Sequence, residues 1–420
     1  MNNITASVKP SVRQKVCIAL LTGGDDRPYV FGLVNELLSK NVQIDLIGSD
    51  ALDFPEFRGR EAVRFLNLRG CMDPNASVAD KISRILRYYA RLISYAAKAQ
   101  PRIFHVLWNN KFEYFDRTLL MLYYRILGKR IVLTAHNVNA KKREESDSFL
   151  NRLTLRIQYA LCSKIFVHTH KMRQELIEDF GIQEEQIKII PFGINNAVPV
   201  TSLTPLEAKR RLGLREDEKA ILFFGRITPY KGLEYLIDAI RSLDSTSERY
   251  RLIIAGRPDR CEDYWAARTK EMVDRVESGQ IILRACFIPD EDTEVYFKAA
   301  DVLALPYRQI YQSGVLFLAH SFGLPVLATD VGSLKDDIVE GRTGFVVRPE
   351  DALDLARVIQ GYFRSDLYQN LSSRRQDIRA FAIERHSWDV VGQITGNVYK
   401  ALLPLPASAR SPDCDAATAQ

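Results

Sequence analysis

The sequence has few cysteines, and no two of them have the short spacing of a metal-binding or redox pair. The six, which are Cys17, Cys71, Cys162, Cys261, Cys286 and Cys414, are scattered through 420 residues with no CxxC pair. This pattern excludes a disulfide framework and a cysteine-ligated zinc site, and it is typical of a protein from a reducing compartment.

Long apolar runs are also missing. No segment approaches the roughly 18 consecutive apolar residues that a membrane-spanning helix needs. Residues 1–14 are polar and lack the apolar core of a secretion signal, so we expect a flexible N-terminus there. Residues 404–420 are rich in Pro, Ala and Ser, which predicts a disordered tail. We therefore expect a cytoplasmic protein, either soluble or peripheral at the inner face of the membrane.

Acidic residues are scarce in the first half of the chain. Residues 1–198 hold 29 Lys and Arg against 20 Asp and Glu, whereas the remainder holds 29 against 32. A basic first half favours an anionic partner or a membrane surface, although a solvated surface explains the same modest excess. We expect no nucleic-acid partner.

What the chain does contain is an alternation of buried-type strands and amphipathic helices in two halves. This alternation predicts an α/β protein with two doubly wound, Rossmann-like domains. A segment at residues 197–205 without helical or strand periodicity predicts the linker, which gives domains at 15–198 and 199–386. The first strand ends in Gly23 and Gly24, which allow close approach to the backbone but do not complete a GxGxxG motif. Gly341 and Gly344 predict a hairpin-like turn.

A strand, a glycine turn and a helix follow one another at residues 220–240, with two cations in the turn. Gly225 ends the apolar run, and Arg226 and Lys231 follow it. Ligands of open α/β sheets bind at the carboxyl ends of strands, and helix N-termini there favour anions. Arg226 and Lys231 are thus candidate ligands for a diphosphate, and the alternative is a solvated Arg and Lys on a loop.

A second candidate anion site lies at residues 312–315, where Gln312, Ser313, Gly314 and Val315 open a helix. The start of a helix offers free backbone N–H groups and the positive end of the dipole. An ordinary serine cap is the alternative. Because Arg226 and Lys231 lie at another strand end of the same half, we favour the anion site.

His136 follows a buried strand at residues 130–134 and is the strongest catalytic candidate in the first half, because it lies where α/β ligands bind. His168 and His170 alternate along a strand end and have no further ligands nearby, so we interpret neither as a metal ligand. Residues 81–98 form a basic amphipathic helix. Packing on the sheet is the simpler interpretation of this helix, and contact with anionic lipid is the second.

Several motifs together resemble the retaining family 4 glycosyltransferases (glycosyl transferases group 1) of the GT-B fold. The pattern G-R-x4-K-G is present at residues 225–232, LTAHNV at 133–138, IIPFGIN at 189–195, SFGLPVLATDVG at 321–332 and GRTGFVV at 341–347. The resemblance covers about residues 15–403, and its specificity comes from the combination. It implies two Rossmann-like domains that face a central cleft, with helix 388–403 returning to the first domain.

The resemblance also implies a function, namely transfer of a sugar from a UDP- or GDP-sugar to a glycan or lipid-linked acceptor with retention at C1. Arg226 and Lys231 would neutralise the diphosphate, backbone groups at Ser313, Gly314 and Val315 would assist, and His136 would orient the sugar. Phe287 and Ile288 would lie near the base, and Gly23 and Gly24 near the diphosphate. The basic first half would bind the acceptor. We expect no cofactor and no metal, since fixed cations stabilise the leaving diphosphate.

One departure concerns two glutamates that this family usually carries as E-x7-E. Alignment on Gly323 and Pro325 places Ile310 and Leu318 at those positions. Either Gln312 or a backbone group replaces the sugar contact, or the donor differs, or activity is weak. Two hypotheses follow: a glycosyltransferase of polysaccharide or glycoconjugate assembly, and a catalytically inactive GT-B nucleotide-binding or scaffold protein.

Overall fold

Two parallel β-sheets organise the chain. The computed structural model describes residues 15–23, 26–73, 76–143, 146–194, 198–244 and 248–403. The strands of the first sheet are β1 (Val16–Leu21), β2 (Val42–Gly48), β3 (Val63–Asn67), β4 (Ile103–Val106), β5 (Arg130–Thr134), β6 (Lys164–Val167) and β7 (Ile187–Ile189). Those of the second are β8 (Lys219–Phe224), β9 (Tyr250–Ala255), β10 (Ile281–Arg284), β11 (Val302–Leu305), β12 (Val326–Thr329) and β13 (Gly344–Val347).

Helices cover both faces of each sheet. They are α1 (Arg27–Ser39), α2 (Val78–Lys98), α3 (Glu113–Phe115), α4 (Met121–Ile126), α5 (Ala140–Arg143), α6 (Phe149–Leu161), α7 (His170–Phe180), α8 (Pro205–Arg211), α9 (Leu233–Ser242), α10 (Glu262–Glu277), α11 (Asp290–Ala299), α12 (Gly314–Ser321), α13 (Ala352–Arg364), α14 (Asp366–Gln369), α15 (Leu371–His386) and α16 (Trp388–Leu402). A π-helical turn at 116–120 joins α3 to α4.

Both sheets share one topology. The strand order is β3-β2-β1-β4-β5-β6-β7 in the first and β10-β9-β8-β11-β12-β13 in the second. The order therefore reverses between β1 and β4 and again between β8 and β11, and ligands of such folds bind at the carboxyl ends of strands beside this switch point. The prediction of two doubly wound, Rossmann-like domains is confirmed.

The local sequence explains how the helices begin. Asp26 caps α1 by accepting a hydrogen bond from the backbone N–H of Tyr29, and a proline stands in the first turn. Thr204 and Glu207 form a reciprocal capping box at α8. The inner strands bury apolar side chains on both faces, as parallel sheets covered by helices require, whereas the edge strands β3 and β10 are only partly buried.

The C-terminal helices connect the two domains. Helix α15 packs on α12 of the second domain, whereas α16 packs on α1 of the first. Trp388 at the start of α16 donates from Nε1 to the carbonyl oxygen of Ile194 (2.8 Å). A Cβ on Gly32 or Gly193 would lie only 2.1 or 2.4 Å from the indole, so both glycines make room for Trp388.

The expected hairpin-like turn between Gly341 and Gly344 is present as a turn, in which the N–H of Gly341 donates to the carbonyl oxygen of Gly344 (3.0 Å), but it does not join antiparallel strands. Gly344 begins β13, which pairs in parallel with β12, and a Cβ at Gly344 would lie 1.9 Å from the carbonyl oxygen of Val326 in that strand. The basic helix predicted at 81–98 begins earlier, at Val78, where Ser77 caps it. Among the described residues, no helix combines the length and hydropathy required to span a bilayer.

Candidate active site

A cavity of about 340 Å³ opens between the two domains beside the switch point of the second sheet. Its second-domain wall comes from the β8–α9 turn and the start of α12, and its first-domain wall from the start of α1, the segment after β7 and Trp388. The lining residues are Asp26, Pro28, Tyr29, Phe192, Gly193, Gly225, Arg226, Tyr230, Lys231, Gly314, Val315, Leu318 and Trp388.

Two glycines with left-handed backbone shape the β8–α9 turn. Gly225 has φ +94° and Gly232 has φ +64°. A Cβ on Gly232 would lie 2.1 Å from the carbonyl oxygen of Pro306, which follows β11. The turn therefore packs directly against the end of the neighbouring strand, and its side chains point into the cavity.

The two cations of this turn have different surroundings. Lys231 is only 6% exposed, and its Nζ lies 5.4 Å from the centroid of the Tyr307 ring. Arg226 is exposed and pairs with Asp259, with 3.1 Å between Nη1 and Oδ2. Lys231 is thus a fixed charge in the wall, whereas Arg226 is a more mobile charge at the entrance.

The first turn of α12 faces the same cavity through Gly314 and Val315. Ser313 precedes it in extended conformation, and its hydroxyl makes no capping bond to the helix. The position of α12 is fixed from the first domain as well. Tyr311 donates to Glu175 (2.9 Å) and accepts from the backbone N–H of Asn139 (3.2 Å). An anion in the cavity would thus meet Arg226, Lys231 and the positive end of a helix.

Asp26 is the acidic residue of the cavity wall. Burial raises the pKa of its carboxyl, while the N–H of Tyr29 and the charge of Arg226 lower it. A group that binds between Asp26 and Arg226 would therefore experience opposite charges from the two domains.

His136 lies behind the first-domain wall rather than in it. Its ring stacks on Trp108, with 4.4 Å between centroids, and meets the Tyr29 ring edge-on at 4.6 Å. Its Nδ1 lies 3.0 Å from Nε2 of His168. The atom Nε2 of His136 is buried and has no hydrogen-bond partner among the described residues.

The surroundings of His168 determine which nitrogens of the two rings carry protons. Nδ1 of His168 lies 3.3 Å from the carbonyl oxygen of Ile190, which can only accept, so this nitrogen carries the proton. Nε2 of His168 then accepts from Nδ1–H of His136, which leaves Nε2 of His136 as an acceptor. Burial, followed by the neighbouring His168, lowers the pKa of His136 well below its ordinary value, and the ring stays neutral.

The other candidate residues lie outside this cavity lining. Phe287 is exposed and Ile288 is partly buried, on the segment between β10 and α11. Gly23 lines a separate first-domain cavity, and Gly24 lies outside the described residues. Ser313 is buried beside the cavity, and the Gln312 side chain lies near the Asp337 carboxyl, whose pKa it lowers against the larger effect of burial. Ile310 belongs to the second-domain core, whereas Leu318 lines the cavity.

Several residues of the cavity wall were not predicted from the sequence as site residues, including Asp26, Tyr29, Phe192 and Trp388. Asp26 and the proline two positions later mark a helix start just after the first strand, so that pattern could have placed Asp26 at the strand-end edge. Tyr29 and Trp388 gave no local indication, because their position depends on contacts between α1 and α16. Within the described ranges, no group of three or more His, Cys, Asp or Glu side chains could hold a metal ion.

Comparison with known proteins identifies two adjacent family domains. Residues 28–198 match the model of Glycosyltransferase Family 4, and residues 218–364 match that of Glycosyl transferases group 1. An uncharacterized glycosyltransferase from Methanocaldococcus jannaschii is 29% identical over 259 residues, which is 59% of this chain and 62% of that protein. The matches span 53–62% of the length of the first curated relatives.

Solved structures share the fold over most of the chain. Sucrose-phosphate synthase from Thermosynechococcus elongatus aligns with a TM-score of 0.73 at 19% identity, over 92% of this chain and 99% of that one. The Anabaena protein HepE, solved in complex with UDP-glucose, aligns with a TM-score of 0.69 at 16% identity, over 92% and 100%. These neighbours have the GT-B fold.

Proposed function

Because the chain belongs to the group 1, family 4 glycosyltransferases of the GT-B fold, we propose that it transfers a hexosyl group from a UDP- or GDP-sugar to a glycan or lipid-linked acceptor, with retention at C1. The reaction would serve polysaccharide or glycoconjugate assembly in the cytoplasm. One observation carries the proposal: Arg226, Lys231 and the start of α12 converge on one cavity at the second switch point.

Charge explains what these groups would do. Breaking the bond between sugar C1 and phosphate leaves a positive, oxocarbenium-like sugar and a negative diphosphate. Lys231 and the N–H groups of α12 are already oriented, so they stabilise the leaving diphosphate without reorganising. Arg226 can leave Asp259 and close over the phosphates. These groups supply the positive charge that the leaving group requires, so we propose a transfer that needs no metal.

His136 would orient the sugar rather than remove a proton from the acceptor. Its free Nε2 is an acceptor, which suits a hydrogen bond from a sugar hydroxyl. Movement of the Tyr29 ring, which separates His136 from the cavity, would open this contact. The leaving diphosphate itself would take the acceptor proton on the face where the acceptor attacks.

Leu318 bears on donor choice. It lines the cavity at a position where the family pattern has a carboxylate that contacts ribose. An aliphatic side chain cannot accept a hydrogen bond from a ribose hydroxyl, so the site would hold its nucleotide mainly through the diphosphate. We therefore propose that base and ribose contribute less to affinity here than the phosphates do.

A face of the first domain supports a peripheral membrane location. Helices α2, α3–α4 and α6 are neighbours, joined by contacts such as Tyr123 Oη to the carbonyl oxygen of Ile93 (3.2 Å) and Arg117 Nη1 to Asn151 Oδ1 (2.8 Å). Each carries exposed apolar side chains, which are Val78, Ile82, Leu86 and Ile93; Phe112, Leu119, Leu122 and Ile126; and Phe149, Leu150, Leu153 and Ile157. We call this set the apolar face.

Helix α2 also carries cations, on a different face from its exposed aliphatic side chains. Arg84, Arg87 and Arg91 make no ion pair with a carboxylate of the described residues. Exposed aliphatic side chains on one face and arginines on another are the amphipathic pattern of a helix that lies in the interface of an anionic membrane. A lipid-linked acceptor would then reach the first domain from the membrane surface.

Nucleotide binding tests the donor site directly. UDP or GDP should raise the melting temperature, and the double variant Arg226→Ala/Lys231→Met should bind it at least about tenfold more weakly, because charge-assisted hydrogen bonds contribute about 1.5–3 kcal/mol each. Arg241→Ala, which removes an exposed cation from α9, is the matched control. An unchanged nucleotide affinity in the double variant would refute the site.

Turnover separates the enzyme from the scaffold alternative. UDP- and GDP-sugars should be hydrolysed or transferred, and proton NMR of the product should show the anomeric configuration of the donor. Activity should persist in EDTA. Nucleotide binding without turnover of any donor would favour a catalytically inactive GT-B protein.

A further inference from the structure

A second, larger cavity lies at the switch point of the first sheet. Its volume is about 560 Å³, and it is bounded by the end of β1, the segment before α2, helix α2 and the segment after β4. The lining residues are Gly23, Arg69, Met72, Asp73, Lys81, Arg84, Ile85, Tyr88, Tyr89, Asn109, Asn110 and Lys111. We call it the first-domain pocket.

Cations dominate this pocket. Arg69, Lys81, Arg84 and Lys111 line it, against Asp73 as the acidic member of the lining. An adjoining cavity of about 260 Å³ shares Arg69 and Arg84 and adds Arg87 and Arg91. Asp80 also lines the adjoining cavity, but cations outnumber carboxylates in both cavities, and such an excess on a concave surface attracts anions.

Arg69 is held in place by the pocket itself. Its Nη2 donates to the carbonyl oxygen of Gly23 (2.6 Å) and to Oδ1 of Asn110 (3.0 Å), and the guanidinium lies 5.1 Å from the centroid of the Tyr88 ring. No carboxylate of the described residues forms an ion pair with it. Its charge is therefore oriented, and the nearby carboxyl of Asp116 interacts with it only electrostatically, without an ion-pair contact. Little side-chain entropy is lost when Arg69 binds an anion.

A buried hydrogen-bond network fixes the opposite wall. Asp116 accepts from the backbone N–H of Asn110 (2.6 Å) and from the hydroxyl of Tyr89 (2.9 Å). The hydroxyl of Tyr88 donates to Oδ1 of Asn110 (2.6 Å). Because its bonds are taken by these donors, Asp116 does not compete for a ligand in the pocket, and it holds the segment that carries Lys111.

The pocket is also close to the proposed reaction centre. A Cβ on Gly23 would lie 1.8 Å from the carbonyl oxygen of Trp108, so the β1 and β4 ends touch. Trp108 in turn stacks on His136. The backbone that bounds the pocket at Gly23 and Asn109 is thus adjacent in sequence to the residue whose ring stacks on His136.

We propose that the first-domain pocket binds a phosphate or diphosphate group carried by the acceptor. The identification of the ligand as an acceptor rests on the proposed glycosyl transfer. The existence of an anion site in this pocket does not. The aliphatic and aromatic lining from Met72, Ile85 and Tyr88 would hold the apolar or sugar part next to the phosphate. The same chemistry would fit a phospholipid-linked acceptor and a soluble sugar phosphate.

The experiment separates this pocket from the donor site. Inorganic pyrophosphate binding is measured by calorimetry in the Arg226→Ala/Lys231→Met background, so that the donor site does not contribute. We expect pyrophosphate to bind, more weakly as salt rises. Adding Arg84→Met and Lys111→Met should weaken binding at least about tenfold. Arg102 is an exposed cation directly before β4, at the end of that strand opposite to the pocket. Arg102→Met should therefore leave binding unchanged.

The outcomes distinguish the two proposals. Pyrophosphate binding that depends on Arg84 and Lys111, in a protein that fails to bind nucleotides, would leave the pocket standing and remove the donor site. Pyrophosphate binding that the Arg84→Met/Lys111→Met change does not weaken would overturn the pocket. Arg84→Lys, which keeps the charge, should restore most of the binding and excludes a folding defect as the cause.

Vesicles identify the source of the phosphate. If Lys111→Met, a pocket change outside helix α2, also reduces sedimentation with vesicles that contain phosphatidic acid, and pyrophosphate competes, the group is borne by a lipid. If only pyrophosphate binding falls, the group belongs to a soluble acceptor. If the pocket variants reduce neither pyrophosphate binding nor sedimentation with vesicles, the proposal is contradicted.

Discussion

Nε2 of His168 lies 3.0 Å from Nδ1 of His136, and this contact makes Nε2 of His136 a hydrogen-bond acceptor. The carbonyl oxygen of Ile190 fixes the proton on the other nitrogen of His168. If His136 orients the sugar as proposed, His168 is a positioning residue, which would act on the sugar only through the tautomer and orientation of His136.

The first prediction tests that relay. In His168→Phe, the ring volume remains but the acceptor for Nδ1–H of His136 is lost, so kcat should fall about 10–100-fold, as for other residues that orient a functional histidine. The affinity for UDP or GDP should not change, because His168 does not line the donor cavity. His136→Ala should reduce kcat further, and the double variant should equal His136→Ala. An equal kcat for His168→Phe and the parent would contradict the relay.

The second prediction concerns the return of α16 to the first domain. In Gly32→Ala, the new Cβ would lie 2.1 Å from Cε2 of the buried Trp388. Overpacking of this kind costs about 1–3 kcal/mol, so the urea midpoint should fall. Gly361→Ala is the control, since it is also helical but has nothing within 4 Å. It should stabilise the protein by about 0.5–1 kcal/mol. Equal effects of the two changes would mean that Trp388 does not anchor α16.

The third prediction concerns the stability of the fold at acidic pH. Burial lowers the pKa of five of the six histidines, which are His105, His136, His168, His320 and His386. Below about pH 6.5 the unfolded chain binds protons that the folded chain excludes, so stability falls as pH falls, by about 1.4 kcal/mol per pH unit for each histidine. Carboxyls whose pKa burial raises oppose this and make the net slope shallower than the histidines alone would give. They are Asp26, Asp116, Glu175, Asp290, Asp301 and Asp337.

One histidine isolates the effect. His320 is fully buried in the second-domain helix α12, and burial lowers its pKa to about 3. His320→Leu should change stability little near neutral pH. Near pH 5 it should be about 2 kcal/mol more stable than the parent, measured by chemical unfolding at both pH values. A constant difference across the two conditions would show that His320 does not contribute to acid lability.

The two α/β domains with parallel sheets could be predicted from the sequence. An apolar run that ends in glycine, as at β8 and Gly225, is recognisable within a short stretch of chain. The turn between Gly341 and Gly344 could be predicted from its glycines, whereas the parallel pairing of β13 with β12 depends on a strand elsewhere in the chain. The convergence of Arg226 and Lys231 with Gly314 follows from two neighbouring strand ends, which is a topological rule. The contacts of Trp388 with Gly32 and Gly193 join residues far apart in sequence, and no periodicity indicates them.

The two cavities at the switch points also depend on contacts between residues far apart in sequence, which the sequence alone does not indicate. Gly23 was expected beside the donor diphosphate, but it lines the first-domain pocket with Arg69. Arg69 follows an edge strand, β3, that sequence analysis did not identify, because its side chains are only partly buried. A site built around Arg69 could therefore be recognised only after the sheet order was known.

The last prediction concerns the apolar face. Ile82 and Leu86 lie one turn apart on α2 and are both exposed. In Ile82→Ser/Leu86→Ser, binding to anionic vesicles should weaken at least about tenfold, since burial of each aliphatic side chain contributes about 1.5–3 kcal/mol. Binding should also weaken as salt rises, because the excess of Lys and Arg in the first half of the chain attracts the anionic surface. Leu353→Ser, a change at an exposed leucine of the second domain, should have no effect. If the α2 variant sedimented with vesicles as well as the parent does, the exposed stripe on α2 would have no role at the membrane.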